Sequence, residues 1–323
     1  MKVDNSRTLP TLQALRFVFV MMIFMSHFVY GGVGAFDAGG DCGVAFFFLL
    51  SGFVVSLGYG RQLSQHTFSY GRFMRRRLLK IYPLHLLCLA AFLIISRQAV
   101  DLRVVLNALL LQCWVPQTDY YFSCNAVSWF LSCMLFCYLV FPLLYRYASG
   151  RLLAVVAVAY GAVCLAVPYD MVNNILYVNP LVRCVDFYLG IMLCKVYERR
   201  RPVLSSVGSW AEPLLLALLV ASLVVYPYAD AKLRNAPLYW LVLMPFILVF
   251  TRGEGLLSRL LRCRAMQWLG SLSMPVFMLH TMTFAVLMHH LPAMPYWAML
   301  GACVVAVVAL SWAVDRFFLR LFR

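Results

Sequence analysis

The segment LRFVFVMMIFMSHF, residues 15–28, places two ionisable side chains, Arg16 and His27, inside one continuous apolar run. The eleven helical steps from one to the other turn through about 1,100° and rise about 16 Å, so both side chains point the same way, about half a bilayer apart. Ionisable groups are costly in hydrocarbon and usually face a polar pathway or a partner. The pair is therefore a candidate functional site. The alternative is that Arg16 extends to the cytoplasmic surface while His27 is a structural histidine in the core.

Composition places the whole chain in the membrane. Hydrophobic residues make up 64% of it and charged residues 12%, which is far from an ordinary soluble domain. Apolar runs of about 17 to 20 residues are long enough to cross about 30 Å of hydrocarbon. They predict an all-α integral membrane protein with about ten transmembrane helices, near residues 12–30, 42–60, 78–96, 126–145, 152–168, 180–197, 213–228, 236–251, 271–289 and 296–315.

The charges of the loops predict the orientation. Most of the 27 Lys and Arg residues fall in one set of alternate loops, whereas the opposite set holds only Arg97, Arg103, Lys232 and Arg234. The positive-inside rule then predicts that both termini are cytoplasmic, which requires an even number of spans. Basic loop ends also meet anionic lipid head groups, so the net charge of +15 does not indicate nucleic-acid binding.

The chain gives no sign of a metal site or of a second domain. Its eleven cysteines contain no Cys-x-x-Cys pair. Cys113 and Cys124 fall on or near the predicted outer side, where an oxidising compartment would allow a disulfide between them. No internal repeat and no long linker interrupts the chain. We therefore expect residues 1–323 to form a single membrane domain without an additional soluble domain.

The densest basic cluster is formed by Arg72, Arg75, Arg76, Arg77 and Lys80. Arg77 and Lys80 are one helical turn apart and share a face at the cytoplasmic end of the third span. A guanidinium can clamp a phosphate with its fork, and an ammonium acts as a point charge. The cluster predicts a site for a phosphate-bearing cytosolic cofactor, although lipid phosphates would satisfy the same residues.

Two further spans carry polar side chains at membrane depth. Ser51 and Gly52 lie in the middle of the second span, where small residues favour either close helix packing or a ligand contact. His280 lies about halfway across the ninth span, which Pro275 is predicted to kink. His280 could form a second polar wall for the site that holds His27, or it could make a structural hydrogen bond.

These segments together resemble the membrane-bound acyltransferase family 3, whose members transfer acetyl or other short acyl groups from acyl-CoA to hydroxyls of glycans and related acceptors. The resemblance covers almost the whole chain. Besides Arg16 and His27 it rests on GVAFFFLLSGF at 43–53, RRRLLKIYP at 75–83, AVSWFLSCMLFCYLVFPLL at 126–144, NPLVRCVDFYLG at 179–190 and LGSLSMPVFMLH at 269–280. It implies a multi-pass protein of the bacterial inner membrane that uses acetyl-CoA, or another acyl-CoA, as donor.

The resemblance also implies roles for individual residues. The family histidine of the first span, regarded as catalytic, corresponds to His27, and the family arginine corresponds to Arg16. A family arginine pair with two residues between its members is linked to CoA binding and corresponds to Arg77 and Lys80. The second member departs conservatively from the pattern here.

At other positions the chain offers an alternative to the family pattern or departs from it. Arg72 and Arg75 have the same spacing as the family pair and could serve in its place. Many members carry acidic residues where this chain has Ala45, Met134 and Leu135. These departures bear on the acceptor more than on the reaction.

The chemistry of the residues fits this function. Acyl transfer to a hydroxyl needs a base, and histidine, with an unperturbed pKa of about 6.5, suits that task. His27 could act as this base or carry the acyl group covalently. The candidates for contacting the acceptor or stabilising an oxyanion are Ser51, Trp129, Asp186 and His280. Asp186 also lies three residues after Arg183, a spacing that favours a structural ion pair.

Two other classes of function remain open from the sequence. A transporter of a glycan, a lipid-linked sugar or a small solute would also carry charges at membrane depth, although paired interrupted helices are not evident. A scaffold subunit of an envelope assembly would use Arg16 and His27 only structurally.

Overall fold

The computed structural model describes residues 9–205 and 209–322, and for residues 201–205 only the main chain. Nearly all regular structure is helical. The helices are α1 (Pro10–His27), α2 (Ala38–Ser64), α3 (Tyr70–Ser96), α4 (Leu102–Ala108), α5 (Thr118–Tyr121), α6 (Trp129–Tyr147), α7 (Gly150–Ala166), α8 (Pro180–Ser205), α9 (Ala211–Val225), α10 (Ala231–Arg234), α11 (Pro237–Arg252), α12 (Leu256–Leu261), α13 (Arg264–Ser271), α14 (Ser273–His290) and α15 (Tyr296–Ala313). One two-stranded antiparallel hairpin, β1 (Val29–Tyr30) and β2 (Val33–Gly34), follows α1.

The helices have the length and composition of a multi-pass membrane protein. Among the described residues, seven helices or helical stretches can cross a bilayer, and two bent pairs raise the number to nine. The α8 helix is not among them because it carries Arg183, Asp186 and Lys195. The all-α membrane fold is confirmed, whereas ten spans and cytoplasmic termini stay predictions. Residues 1–8 and residue 323 lie outside the described chain.

The ninth expected span is broken, but the break lies before the proline that predicts it. The α13 and α14 helices meet at an angle of 62° at Leu272. Pro275 lies in the first turn of α14. A proline is tolerated there because the first main-chain N–H groups of a helix have no partner within that helix.

A close contact between helix backbones joins α2 to α8. A Cβ atom added at Gly52 would overlap the main-chain oxygen of Phe187, and one added at Gly190 would overlap that of Leu49. The two glycines therefore let the two helix backbones touch. Of the two small residues in the middle of the second span, Gly52 allows close helix packing, whereas its neighbour Ser51 does not lie in this contact.

The structure does not contain the disulfide between Cys113 and Cys124 that the sequence suggested. Both thiols are free. The Cys113 thiol is buried and donates to the main-chain oxygen of Trp129 at 3.4 Å. Cys124 lies at a main-chain turn with φ of 57°. The loop before α6 is instead held to α4 by buried hydrogen bonds. The Asn107 side chain of α4 donates to the main-chain oxygen of Ser123 at 2.9 Å.

The C-terminal end of α1 is joined to the C-terminal end of α14. The Tyr30 hydroxyl of the hairpin lies 2.7 Å from the main-chain oxygen of Pro292 and 2.9 Å from that of Met294, and its hydrogen bond joins the hairpin to the loop after α14. Beneath this link, the buried Phe28 packs edge-to-face against Phe284. The helices that carry His27 and His280 are thus held in a fixed relation.

Replacing Gly52 with Ala is expected to lower the free energy of unfolding by about 1–3 kcal/mol, the usual range for overpacking, because a main-chain oxygen cannot turn aside as a side chain can. The measurement is the midpoint of thermal unfolding of the detergent-purified protein. Gly58→Ala is the matched control on the same helix, because a Cβ atom there meets nothing within 4 Å. Equal midpoints for both variants would contradict the packing account.

Candidate functional site

A cavity of about 320 Å³ lies among α1, α2, α3, α6 and α14. Most of its wall is apolar. The polar and charged residues that line it are Gln13, Arg16, Ser51, Arg77, Lys80, Tyr138, Gln267 and Ser273. Four candidates from the sequence, Arg16, Ser51, Arg77 and Lys80, therefore meet at one site although they come from three helices. The predicted orientation places this site towards the cytoplasm.

Aromatic rings hold the Arg77 guanidinium in the wall of the cavity. Its central carbon lies 5.5 Å from the ring centre of Tyr59, 5.3 Å from that of Phe73 and 5.2 Å from that of Tyr138. Contacts of this kind attract a cation to the face of a ring. The buried Nε atom of Arg77 has no hydrogen-bond partner among the described residues. The ring contacts therefore position the cation without supplying a counter-charge.

The basic cluster is divided by the structure. Arg77 and Lys80 line the cavity, whereas Arg72 and Arg75 are exposed on the surface outside its lining. Arg16 donates to the Gln13 side chain at 3.4 Å from within the same helix. The cavity thus brings together two arginines and a lysine, with three further arginines, Arg72, Arg75 and Arg76, at the same end of α3.

His27 and His280 form a second site, where the C-terminal end of α1 meets the middle of α14. Their ring centres are 5.1 Å apart, and Nε2 of His280 lies 3.4 Å from Nδ1 of His27. His280 is fully buried, whereas His27 is exposed on one side. The structure therefore places His280 against His27, which is the position expected of a second polar wall for that site.

The hydrogen bonds of the two rings define their neutral tautomers. Nδ1 of His27 lies 2.9 Å from the main-chain oxygen of Ile23, and Nδ1 of His280 lies 2.8 Å from that of Phe277. A carbonyl oxygen only accepts, so both Nδ1 atoms carry the proton. Nε2 of His280 then accepts from His27. Nε2 of His27 keeps its lone pair and has no hydrogen bond to any described residue.

Arg16 and His27 point the same way from α1, but they do not line the same cavity. Arg16 lies in the cavity wall, and His27 lies beyond its lining at the other end of α1. The side chain that borders both places is Phe277, which lines the cavity and has its ring centre 6.1 Å from that of His280. Helical spacing predicts the direction of the Arg16 and His27 side chains, but side chains from other helices, such as Phe277 of α14, fill the space between them.

Trp129 and Asp186 belong to a buried ion-pair cluster away from the cavity. Nη1 of Arg183 donates to Asp186 at 3.0 Å, and both residues are 1% exposed. The Trp240 indole donates to the other oxygen of the same carboxylate. The Arg183 guanidinium lies over the rings of Tyr177 and Trp129, at 4.8 and 5.8 Å. Asp186 is therefore bound by Arg183 and Trp240, and Trp129 lies under the Arg183 guanidinium.

Sequence analysis missed most of the residues that position Arg77. Phe73 precedes Arg77 by four residues on the same helix, a spacing that brings side chains together and could have indicated the contact. Tyr59 comes from α2 and Tyr138 from α6, and no spacing within the sequence relates them to Arg77. Among the described residues, no group of three His, Cys, Asp or Glu side chains could hold a metal ion.

Comparisons with known proteins agree with these observations. A family model described as an acyltransferase domain matches residues 9–316. Acyltransferase MdmB from Streptomyces mycarofaciens is 32% identical over 247 residues, which are 65% of this chain and 62% of that protein. The match thus covers less than two thirds of the relative's length. No solved structure matches the chain.

The Asp186→Asn variant is expected to lose about 3–5 kcal/mol of stability, because it leaves the buried Arg183 guanidinium without a counter-charge. The thermal unfolding midpoint of the purified protein measures this loss. Asp101→Asn is the matched control. Asp101 pairs with Arg103 at the surface, where the side chains are 36% and 44% exposed, and such pairs contribute about 0–1 kcal/mol. An Asp186→Asn protein as stable as the wild type would contradict the structural role.

Proposed function

Because the chain belongs to this acyltransferase family, we propose that it moves an acyl group, acetyl in the simplest case, from cytosolic acyl-CoA to a hydroxyl of a glycan or another envelope or exported acceptor. The observation that carries the proposal is the common position of Arg16, Arg77 and Lys80 in one cavity, which is also lined by α1 and α14, the helices that carry His27 and His280. Family membership gives no support to a transporter or a scaffold, which the sequence alone had left open.

The donor site of the proposal is the cavity and its basic entrance. A volume of about 320 Å³ is at the small end of ligand sites and suits the pantetheine arm and a short acyl group better than a whole acyl-CoA. The nucleotide would then lie outside, where the exposed Arg72 and Arg75 supply positive charge for its phosphates. Inside, Arg77 and Lys80 extend that charge along α3.

The base of the proposal is Nε2 of His27. It removes the proton from the acceptor hydroxyl as the oxygen attacks the thioester carbonyl. The new C–O bond forms, the C–S bond of the thioester breaks, and CoA leaves as a thiolate. The proton held by the imidazolium then passes to that sulfur, so the histidine ends the cycle neutral.

The hydrogen bonds of the histidine pair support this assignment. His280 accepts from Nδ1 of His27 and so favours the tautomer that has its lone pair at Nε2. In that state His280 orients the base and has no proton at Nε2 to give to an oxyanion. Ser51 lines the cavity beside Arg16 and contacts the donor in this proposal.

The proposed location is the bacterial inner membrane, with the whole chain as one acyltransferase domain. Both the charge of the loops and the resemblance support it. The acyl-CoA then lies in the cytosol and the acceptor on the opposite side.

Replacing His27 with Ala is expected to lower CoA release from acetyl-CoA by about 10²–10⁴-fold, the usual contribution of a general base. The assay uses purified, reconstituted protein with crude envelope glycan as acceptor. His289→Ala is the matched control, since His289 is an exposed histidine at the end of α14 whose ring contacts, within the part of the chain that the structure describes, the ring of His290. Equal release by wild type and His27→Ala, at equal folding and abundance, would remove His27 from catalysis.

A further inference from the structure

Aromatic rings fill the space between the cavity and the histidine pair. Phe130 of α6 and Phe277 of α14 both line the cavity, and their rings meet edge-to-face with centres 5.2 Å apart. Phe277 is 6.1 Å from the His280 ring, and Phe48 stands 4.7 Å behind Phe130. Ring contacts therefore continue from the cavity wall to His280 and on to His27.

This arrangement closes the cavity before it reaches the base. The cavity is lined by Arg16 but by neither histidine. Along α1, His27 lies about 16 Å further on. Acyl transfer requires the thioester carbonyl and Nε2 of His27 to share one acceptor hydroxyl, a few ångströms from each. The closed arrangement described here does not allow that contact, so the reaction needs an opening between the two places.

A permanent opening would harm the membrane. The cavity is charged and lies towards one side, and His27 is exposed towards the other. A polar channel joining them would let protons and ions leak. Narrow apolar constrictions prevent such leaks by excluding water. Phe130 and Phe277, at 8% and 6% exposure, form a constriction of this kind.

We propose that Phe130 and Phe277 form an aromatic gate between donor and acceptor sites, and that the gate selects short acyl groups. The proposal rests on the proposed function. Turning the Phe277 ring aside opens the route without breaking the hydrogen bond between its main-chain oxygen and His280, because only the side chain moves. The space cleared by one ring admits an acetyl group more readily than a long acyl chain.

The selectivity of the gate is tested with acetyl-CoA and hexanoyl-CoA. Phe277→Ala and Phe130→Ala are each expected to raise the ratio of hexanoyl to acetyl kcat/KM at least tenfold. Phe250→Ala is the matched control, because Phe250 is also buried, lies outside the cavity lining, and has its ring contact with Phe246 rather than with a gate ring or a histidine. It should leave the ratio within twofold. Phe277→Leu serves if an alanine variant does not fold. An unchanged ratio in the gate variants overturns the proposal.

The barrier itself is tested without catalysis. The Phe130→Ala/Phe277→Ala protein, reconstituted in vesicles that contain a pH-sensitive dye, is expected to pass protons at least five times faster than the wild type. A rate equal to that of the wild type overturns the gate. If the wild-type protein turns over no acyl-CoA, the proposed function fails, and the proton flux still decides whether the rings form the barrier.

Discussion

Because α1 is one continuous helix, Arg16 and His27 are held about 16 Å apart and neither can approach the other. The rest of the site depends on this separation. Helices α2, α3, α6 and α14 surround the Arg16 end and form a charged cavity, and α14 continues from the cavity to His280, which lies against His27. A substrate handled by both residues must therefore be long, with its charge at one end and its reactive atom at the other. Acyl-CoA has that form.

Two arginines of this protein, Arg183 and Arg77, are stabilised in different ways. Arg183 is buried against a carboxylate and is fully committed to the fold. Arg77 is surrounded by three rings that offer attraction but no counter-charge, and its Nε atom has no partner among the described residues. An arginine held in this second way can receive an anion without first breaking an ion pair. This difference separates the structural arginine from the one proposed to bind ligand.

Local spacing predicted what lies on one helix, and tertiary packing decided the rest. The helical period placed Arg77 and Lys80 on one face of α3, and both line the cavity. The small residues Ser51 and Gly52 left close packing and a ligand contact open, and Gly52 packs against α8. It could not show that Phe130 and Phe277 separate Arg16 from His27, because those rings come from α6 and α14. The same limit applies to Trp129, which lies under a guanidinium from α8, and to Cys113, whose thiol turns to a main-chain oxygen of α6.

The central claim is that an acyl group enters at the charged cavity and leaves at His27 on the opposite side. It is tested most directly with vesicles of one protein orientation, with the face bearing residues 61–80 outward. Radiolabelled acetyl-CoA is added outside, and crude envelope glycan is sealed inside. The account predicts that the label appears on the enclosed glycan, and that the His27→Ala protein transfers none. Label found only on glycan supplied outside, with none on the enclosed glycan, would contradict it.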